Sequence, residues 1–508
     1  MSIGLRHVLS VMLAGSCLSG EGGVYGLEPD TSPDRVEAPL QVALKRIGTL
    51  RPRGTKEISG SAFTIGCEGI ERGFANFEEY KNFLEPLGIK RVRIQTGWAK
   101  CEPEKGRYDF KWLDDILSYL EARGIRAMFE LSYGNPIYKG GGGRSLGAGF
   151  PSGEEGLPAW ERWVDAMTRH FGNRVDWSVW NEPGGKGPEK TAEFNVRTVK
   201  IIRRNIRNAH VSGLSLEHVE PVKWEQFLKA LGEDCKLFDR FLYHGYFPAP
   251  ETHIEKVCRL KEVRDRCAPG VELGQGENGC PSEMLHFLGL RQYPWSEYSQ
   301  GKWYLRRMLT DLTLEVPSSL FLICDLVYKD AAKNGGGIGD GVNAKGLLRT
   351  NTDLEVIGVK RAYYAVQNAV SVFDDHVELV KDENLELKTD DLTLMTAAFR
   401  RKDNGARIFA FWQFREVVYK KWQKYPPEMI LARPNDLFVT RPLKFDYAGK
   451  PLVDLVWVDL YTGRIYEFPR HRMVGKEGNI VIFDVPGYDS PCLLAERAAI
   501  PLQRVNVK

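Results

Sequence analysis

The chain has 508 residues, 43% of them hydrophobic and 27% charged, and 70 Lys and Arg against 67 Asp and Glu leave a formal charge of +3. So even a balance argues against the basic face of a nucleic-acid-binding protein. The length exceeds one average domain, and a large domain with a smaller companion is expected.

The N-terminus carries Arg6 and His7, then an apolar run from Val8 to Cys17. About ten residues are too few to span a bilayer, which takes roughly 20. Residues 1–25 therefore read as an export signal, which would place the mature protein outside the cytoplasm. Leu13-Ala14-Gly15-Ser16-Cys17 loosely resembles a bacterial lipobox, so lipidation of Cys17 and a lipid anchor form a second reading. Residues 26–59 are an extension able to lend a strand to a later domain.

From 60 to 370, short apolar runs alternate with amphipathic stretches. Strands are expected at Phe63–Cys67, Arg91–Gln95, Ala127–Leu131, Asp176–Trp180, Gly213–Leu216, Phe241–Tyr243, Glu272–Gly276 and Leu320–Cys324. Eight strands separated by helices predict an α/β fold, a closed (β/α)8 TIM barrel. Trp112, Leu113, Ile116, Leu117 and Leu120 mark a helical face in Tyr108–Ala122, stopped by Gly124. A helix over Gly358–Val370 closes the barrel. From 371 to 508 the helical period is lost. Runs at His376–Val380, Leu392–Phe399, Arg407–Gln413, Leu452–Asp459, Arg464–Glu467 and Asn479–Asp484 predict an antiparallel β-sandwich. Among the cysteines beyond Cys17, Cys258 and Cys267 are candidates for a pair across a helix end, and most of the rest are expected as buried thiols.

The chemistry concentrates at strand ends, because the C-terminal ends of barrel strands line the active site. The fourth strand ends in Trp180-Asn181-Glu182-Pro183 and the seventh in Gly276-Glu277-Asn278-Gly279. A carboxylic acid beside apolar rings is raised toward proton donation, and a second carboxylate two βα units later supplies the partner that glycoside hydrolysis needs. The glycines around Glu277 are expected to leave room for a sugar ring. Aromatic residues near the pair would offer flat faces for sugar C–H groups.

Trp-Asn-Glu-Pro after the fourth strand resembles the acid/base signature of clan A glycoside hydrolases. Glu102–Phe110 and the added sandwich look most like family 39, the β-xylosidase type. The resemblance implies Glu182 as acid/base, Asn181 on the sugar 2-hydroxyl and Glu277 as nucleophile. Tyr243-His244-Gly245-Tyr246 resembles the clan's His-x-Tyr, with Tyr246 bonded to the nucleophile and His244 facing the sugar. Arg93 resembles the second-strand arginine that keeps the nucleophile ionised. Further contacts are expected from Glu68, Gln95, Trp98, Tyr133 and Asn135, and more remotely from Glu217, His218 and Asp325.

The Gly-rich runs Gly140–Gly143 and Gly335–Gly341 lack a phosphate-loop pattern and read as lids or cleft walls. No cluster has metal-ligand spacing, no Gly-x-Ser-x-Gly elbow is present, and no cofactor is expected. The expectation is a retaining, exo-acting enzyme on β-xylosides, β-galactosides or β-glucosides. A carbohydrate-binding protein on an inactive barrel and a transglycosylase using the same pair are the alternatives.

Overall fold

The structure is a computed structural model, and it describes residues 27–145, 147–329, 340–381, 387–414, 438–476 and 479–505. The expected export signal with Cys17, and most of Gly335–Gly341, lie outside these residues. No helix among the described residues is long and apolar enough to cross a membrane.

Eight parallel strands close into a barrel. They are β1 Phe63–Gly66, β2 Arg91–Gln95, β3 Arg126–Leu131, β4 Asp176–Val179, β5 Val211–Leu216, β6 Arg240–His244, β7 Glu272–Asn278 and β8 Ser318–Leu320. Both faces of each strand are covered, by the barrel interior and by helices, and the strands are accordingly buried along nearly their whole length, polar residues included. The helix Lys111–Glu121 shows how the cover is built. Leu113, Ile116, Leu117 and Leu120 are buried at helical spacing, a contribution of about 1.5–3 kcal/mol each. Gly124, at φ +68°, ends it, and Ile125 N–H returns to the Leu120 carbonyl at 3.0 Å.

The eighth strand lies at Ser318–Leu320 rather than Leu320–Cys324. Phe321–Cys324 is just as buried and still donates to the neighbouring barrel strands, Phe321 N–H to Asn278 at 2.8 Å and Ile323 N–H to Gly66 at 2.9 Å, but its carbonyls accept from outside the barrel. Leu347 and Leu348 donate to the Leu322 and Ile323 carbonyls at 3.0 and 2.9 Å. An antiparallel ribbon of Leu326–Tyr328 and Gly341–Asn343 then rises beside the barrel mouth.

The second layer is an antiparallel sandwich of an eight-stranded and a four-stranded sheet. Arg46–Leu50 joins the larger sheet between Arg464–Glu467 and Leu502–Arg504. Among the strands missing from the sequence reading are Arg441–Tyr447 and Cys492–Glu496. In the first, Leu443, Phe445 and Tyr447 alternate inward past an exposed Pro442. The second is buried throughout at the sheet centre and shows no alternation.

The helix Glu297–Thr313 sits between barrel and sandwich, buried along nearly its whole length. Its charges are paired there. Lys302 meets Asp489 at 2.9 Å, and Arg306 holds both oxygens of Glu251 at 2.6 and 2.7 Å while Trp412 Nε1 donates to the same carboxylate at 2.6 Å.

Cys67, Cys101, Cys235, Cys280, Cys324 and Cys492 are buried thiols as expected, but Cys258 and Cys267 do not pair. They stand nine residues apart on one helix, Ile254–Cys267. That separates them by about 13 Å, beyond disulfide reach.

Candidate active site

At the end of β4 the chain turns sharply. Trp180 and Glu182 adopt φ of +61° and +49°, a left-handed conformation that costs a non-glycine residue about 1–3 kcal/mol and is typically kept where a side chain must be aimed. Glu182 N–H donates to the Ser215 carbonyl at 3.1 Å, and the side chain points into a cavity of about 400 Å³ at the barrel mouth. On β7 the ladder slips by one residue at Gly276, so that Tyr243 faces Gln275 and His244 faces Glu277. Such a bulge re-aims the side chain after it, and Glu277 enters the same cavity.

The glycines of this strand have a different purpose from the one expected. A Cβ on Gly276 would lie 2.9 Å from Leu242 Cβ and 3.2 Å from His244 Nε2, and one on Gly279 would meet the Phe321 carbonyl oxygen. They admit neighbouring protein atoms, not a sugar ring.

Carboxylate oxygens of Glu182 and Glu277 and a ring nitrogen of His244 lie within 4.8 Å of one another. His244 Nδ1 bonds Glu182 Oε1 at 3.0 Å and stands 3.9 Å from Glu277 Oε2. Tyr246 Oη donates to Glu277 Oε1 at 2.6 Å. Arg93 donates from Nη2 to Glu277 Oε2 and from Nη1 to the Gly276 carbonyl at 2.7 Å. Both oxygens of Glu277 thus already have donors, an arrangement for holding an anion rather than coordinating a metal.

Arg93 is fully buried and also faces Glu68 at 2.6 Å and Glu130 at 3.8 Å. One guanidinium cannot neutralise three buried carboxylates, and the proton affinities divide accordingly. Burial works to raise Glu277, but Arg93, His244 and Tyr246 outweigh it and hold the carboxyl at about 2. Burial dominates at Glu68, aided by the charge of Glu277 against Arg93, and raises it to about 8. Glu130 is raised for the same first reason. Burial lowers His244, but Glu277 and Glu182 overcome this, so its affinity for a proton is raised. Burial and Glu277 keep Tyr246 a protonated donor.

Glu68, Gln95, Tyr133, Asn181 and Tyr246 line the cavity with the two glutamates. Asn181 Nδ2 donates to Tyr133 Oη at 2.8 Å, while its Oδ1 is buried without a partner. Gln95 Nε2 donates to Glu130 at 3.1 Å. His244 stands behind the glutamates and touches the pair without lining the cavity.

Other expected contacts are not made. Trp98 is fully buried, donates from Nε1 to Glu102 at 2.5 Å and stacks on Tyr138 and Trp163 at 5.6 and 5.9 Å. It is a core residue that no sugar reaches. Asn135 is likewise buried, its Nδ2 spent on the Glu102 carbonyl at 2.8 Å. Asp325 is bound to Lys360 at 2.6 Å, and Glu217 and His218 lie outside the cavity lining. The Gly140–Gly143 run, expected as a lid or cleft wall, is not among the residues that line the cavity; it is tied by backbone bonds, Gly134 N–H to Gly143 at 2.8 Å and Ser152 N–H to Gly140 at 2.8 Å.

Four important residues were missed. Glu130 carried a signal, an acid inside the apolar run of β3. Arg72, Asn343 and Lys345 sit on loops or short ribbons where no periodicity marks a direction, and all three line the cavity. Arg72 bonds Gln95 Oε1 at 2.7 Å and lies 5.0 Å from the Tyr133 ring centre.

A closed barrel with glutamates ending its fourth and seventh strands and a sandwich appended has the architecture of the clan A glycoside hydrolases. A family model described as β-galactosidase, of glycoside hydrolase family 42, matches residues 75–135. β-Galactosidase BgaA of Clostridium cellulovorans is 38% identical over 61 residues, 12% of this chain and 9% of that protein's length. A family 39 glycoside hydrolase from Bacteroides cellulosilyticus WH2 superposes with a TM-score of 0.61 at 16% identity, covering 86% of this chain and 81% of that one. A monomeric β-xylosidase from Caulobacter crescentus CB15 gives 0.55 at 15% identity, covering 86% and 97%.

Proposed function

We propose that the protein is a retaining β-glycosidase that acts on chain ends outside the cytoplasm, its export resting on the N-terminal signal. The observation that carries this is the pair Glu182 and Glu277, with oxygens within 4.8 Å across one cavity and only the second locked as an anion by Arg93 and Tyr246. Inverting enzymes need about 6.5–9.5 Å to fit a water between the carboxyls, and retaining enzymes about 5–5.5 Å.

In the first step Glu277 attacks the anomeric carbon as Glu182 delivers its proton to the departing oxygen. In the second, Glu182 takes a proton from water, whose oxygen displaces Glu277 and restores the anomeric configuration. Asn181 Oδ1, an acceptor without a partner, is available for a substrate hydroxyl. A cavity of about 400 Å³ suits one or two sugar rings rather than a long polymer, which supports exo-action.

The test is a panel of aryl α- and β-glycosides against wild type and Glu277→Ala. Wild type should release aglycone from a β-glycoside with net retention. The variant should lose on the order of 10⁴-fold or more in turnover, and azide should restore part of it as the inverted glycosyl azide. Wild-type rates in Glu277→Ala would refute the nucleophile. Sugar binding without turnover by wild type would instead mark a binding protein.

A further inference from the structure

Three lysines are buried among the described residues: Lys302, Lys345 and Lys360. Two have a carboxylate close by, Asp489 at 2.9 Å for Lys302 and Asp325 at 2.6 Å for Lys360. Lys345 has none within 4.0 Å among the described residues. Its ammonium reaches only the amide oxygen of Asn343 at 3.4 Å and lies 5.5 Å from the Tyr246 ring centre. A buried ammonium without a counter-ion is costly and is normally avoided.

The backbone holds Lys345 in this position from outside the cavity. Its carbonyl accepts from Tyr304 Oη at 2.9 Å and from Gln300 Nε2 at 3.4 Å, and its N–H donates to the Asn343 carbonyl at 2.8 Å. The side chain lines the cavity that holds Glu182 and Glu277. It is not what holds Glu277 ionised, a part filled by Arg93, His244 and Tyr246. A positive group positioned at this cavity with no described carboxylate within 4.0 Å leaves that place to a substrate anion.

We propose that Lys345 is a specificity-determining residue that pairs with an anionic oxygen group on the sugar, a carboxylate or a sulfate ester, so that the substrate is an acidic glycoside. This rests on the glycosidase reading above and narrows it. Burial lowers the ammonium to about 8 against the pull of Glu277, so most of it stays charged at neutral pH and can serve as that counter-ion.

The experiment compares kcat/KM for 4-nitrophenyl β-glucuronide, β-galacturonide and 6-sulfated β-galactoside with the neutral β-glucoside and β-galactoside. Wild type should prefer an acidic substrate to its neutral counterpart, and which one it prefers identifies carboxylate or sulfate. In Lys345→Met that preference ratio should fall by about 30-fold or more, the worth of a buried charge-assisted bond, while Lys345→Arg should retain part of it. Binding of free D-glucuronate, D-galacturonate, galactose 6-sulfate, D-glucose and D-galactose to wild type by calorimetry gives a second readout that needs no variant to fold. Tighter binding of an acidic sugar than its neutral counterpart is expected. Hydrolysis of neutral glycosides in preference to all acidic ones, or equal losses on both in Lys345→Met, would overturn the assignment and leave the glycosidase reading standing. Turnover of no glycoside, with no sugar bound, would overturn both.

Discussion

Tyr246→Phe removes one oxygen and tests whether the charge of the proposed nucleophile, Glu277, is built by its neighbours. In the native site the phenol donates to Glu277 Oε1 at 2.6 Å, inside a buried cluster. A hydrogen bond to a charged group contributes about 1.5–3 kcal/mol, and one pKa unit is 1.36 kcal/mol, so its loss should raise Glu277 by about 1–2 units. From about 2, the carboxyl would move to about 3–4, where the protein can still be assayed. The measurement is the pH profile of kcat/KM on an aryl glycoside, whose limbs report the free enzyme. Wild type should show no fall attributable to Glu277 above pH 3, and the Phe variant should show an acid limb between about pH 3 and 4. The same shift has a stability counterpart. A carboxyl held below its unfolded value stabilises the fold above that value, and this is lost as pH falls through the folded one. The variant should therefore retain less of that stabilisation at neutral pH, seen as a lower melting temperature. A lower rate with an unmoved acid limb would refute the reasoning and reduce Tyr246 to packing.

Glu182→Ala should lose about 10²–10⁴-fold on a substrate with a poor leaving group and far less on a 2,4-dinitrophenyl glycoside, which needs little protonation; equal losses would remove Glu182 from the acid role. Glu68→Gln should matter in the opposite pH window to Glu277. A carboxyl raised to about 8 contributes stability that is full below its unfolded value and is lost as pH rises through the folded one. The variant should therefore melt closer to its pH 5 temperature at pH 9 than wild type does, each kcal/mol recovered being worth on the order of 2 °C. A wild-type melting temperature flat from pH 5 to 9 would show that Glu68 is not the buried acid described.

Where the sequence could be read, the cause was covering on two faces or one. β2 was placed to the residue at Arg91–Gln95 from its β-branched Val92 and Ile94, and Arg93 stood out as a charge between them. The same rule placed β8 too late, since Phe321–Cys324 is equally buried and donates to the ends of β7 and β1 while its carbonyls accept from Leu347 and Leu348; apolarity reports burial, not ladder partners. Trp98 was misread for a related reason. An aromatic residue near a barrel mouth suggests stacking, yet Glu102, four residues later, already satisfies its indole N–H. Arg72 and Lys345 left no trace because a loop residue's direction is set by tertiary contacts, here Gln95 for one and the Tyr304 and Gln300 bonds to the backbone for the other.

The placement of protons around Arg93 follows from counting charges. Three carboxylates against one guanidinium would leave two uncompensated charges in a fully buried site, a cost that shifting proton affinities avoids. Glu68 and Glu130 are the ones raised, and Glu277 is the one lowered. The difference lies in donors. Glu277 accepts from Tyr246 and from Arg93 and stands beside His244, Glu68 faces the Arg93 Nε at 2.6 Å, and Glu130 accepts from the neutral Gln95 amide. An acid proposed to attack an anomeric carbon needs its charge at working pH. The raised proton affinity of the two acids beside it leaves more of Arg93 to Glu277 than two further full anions would.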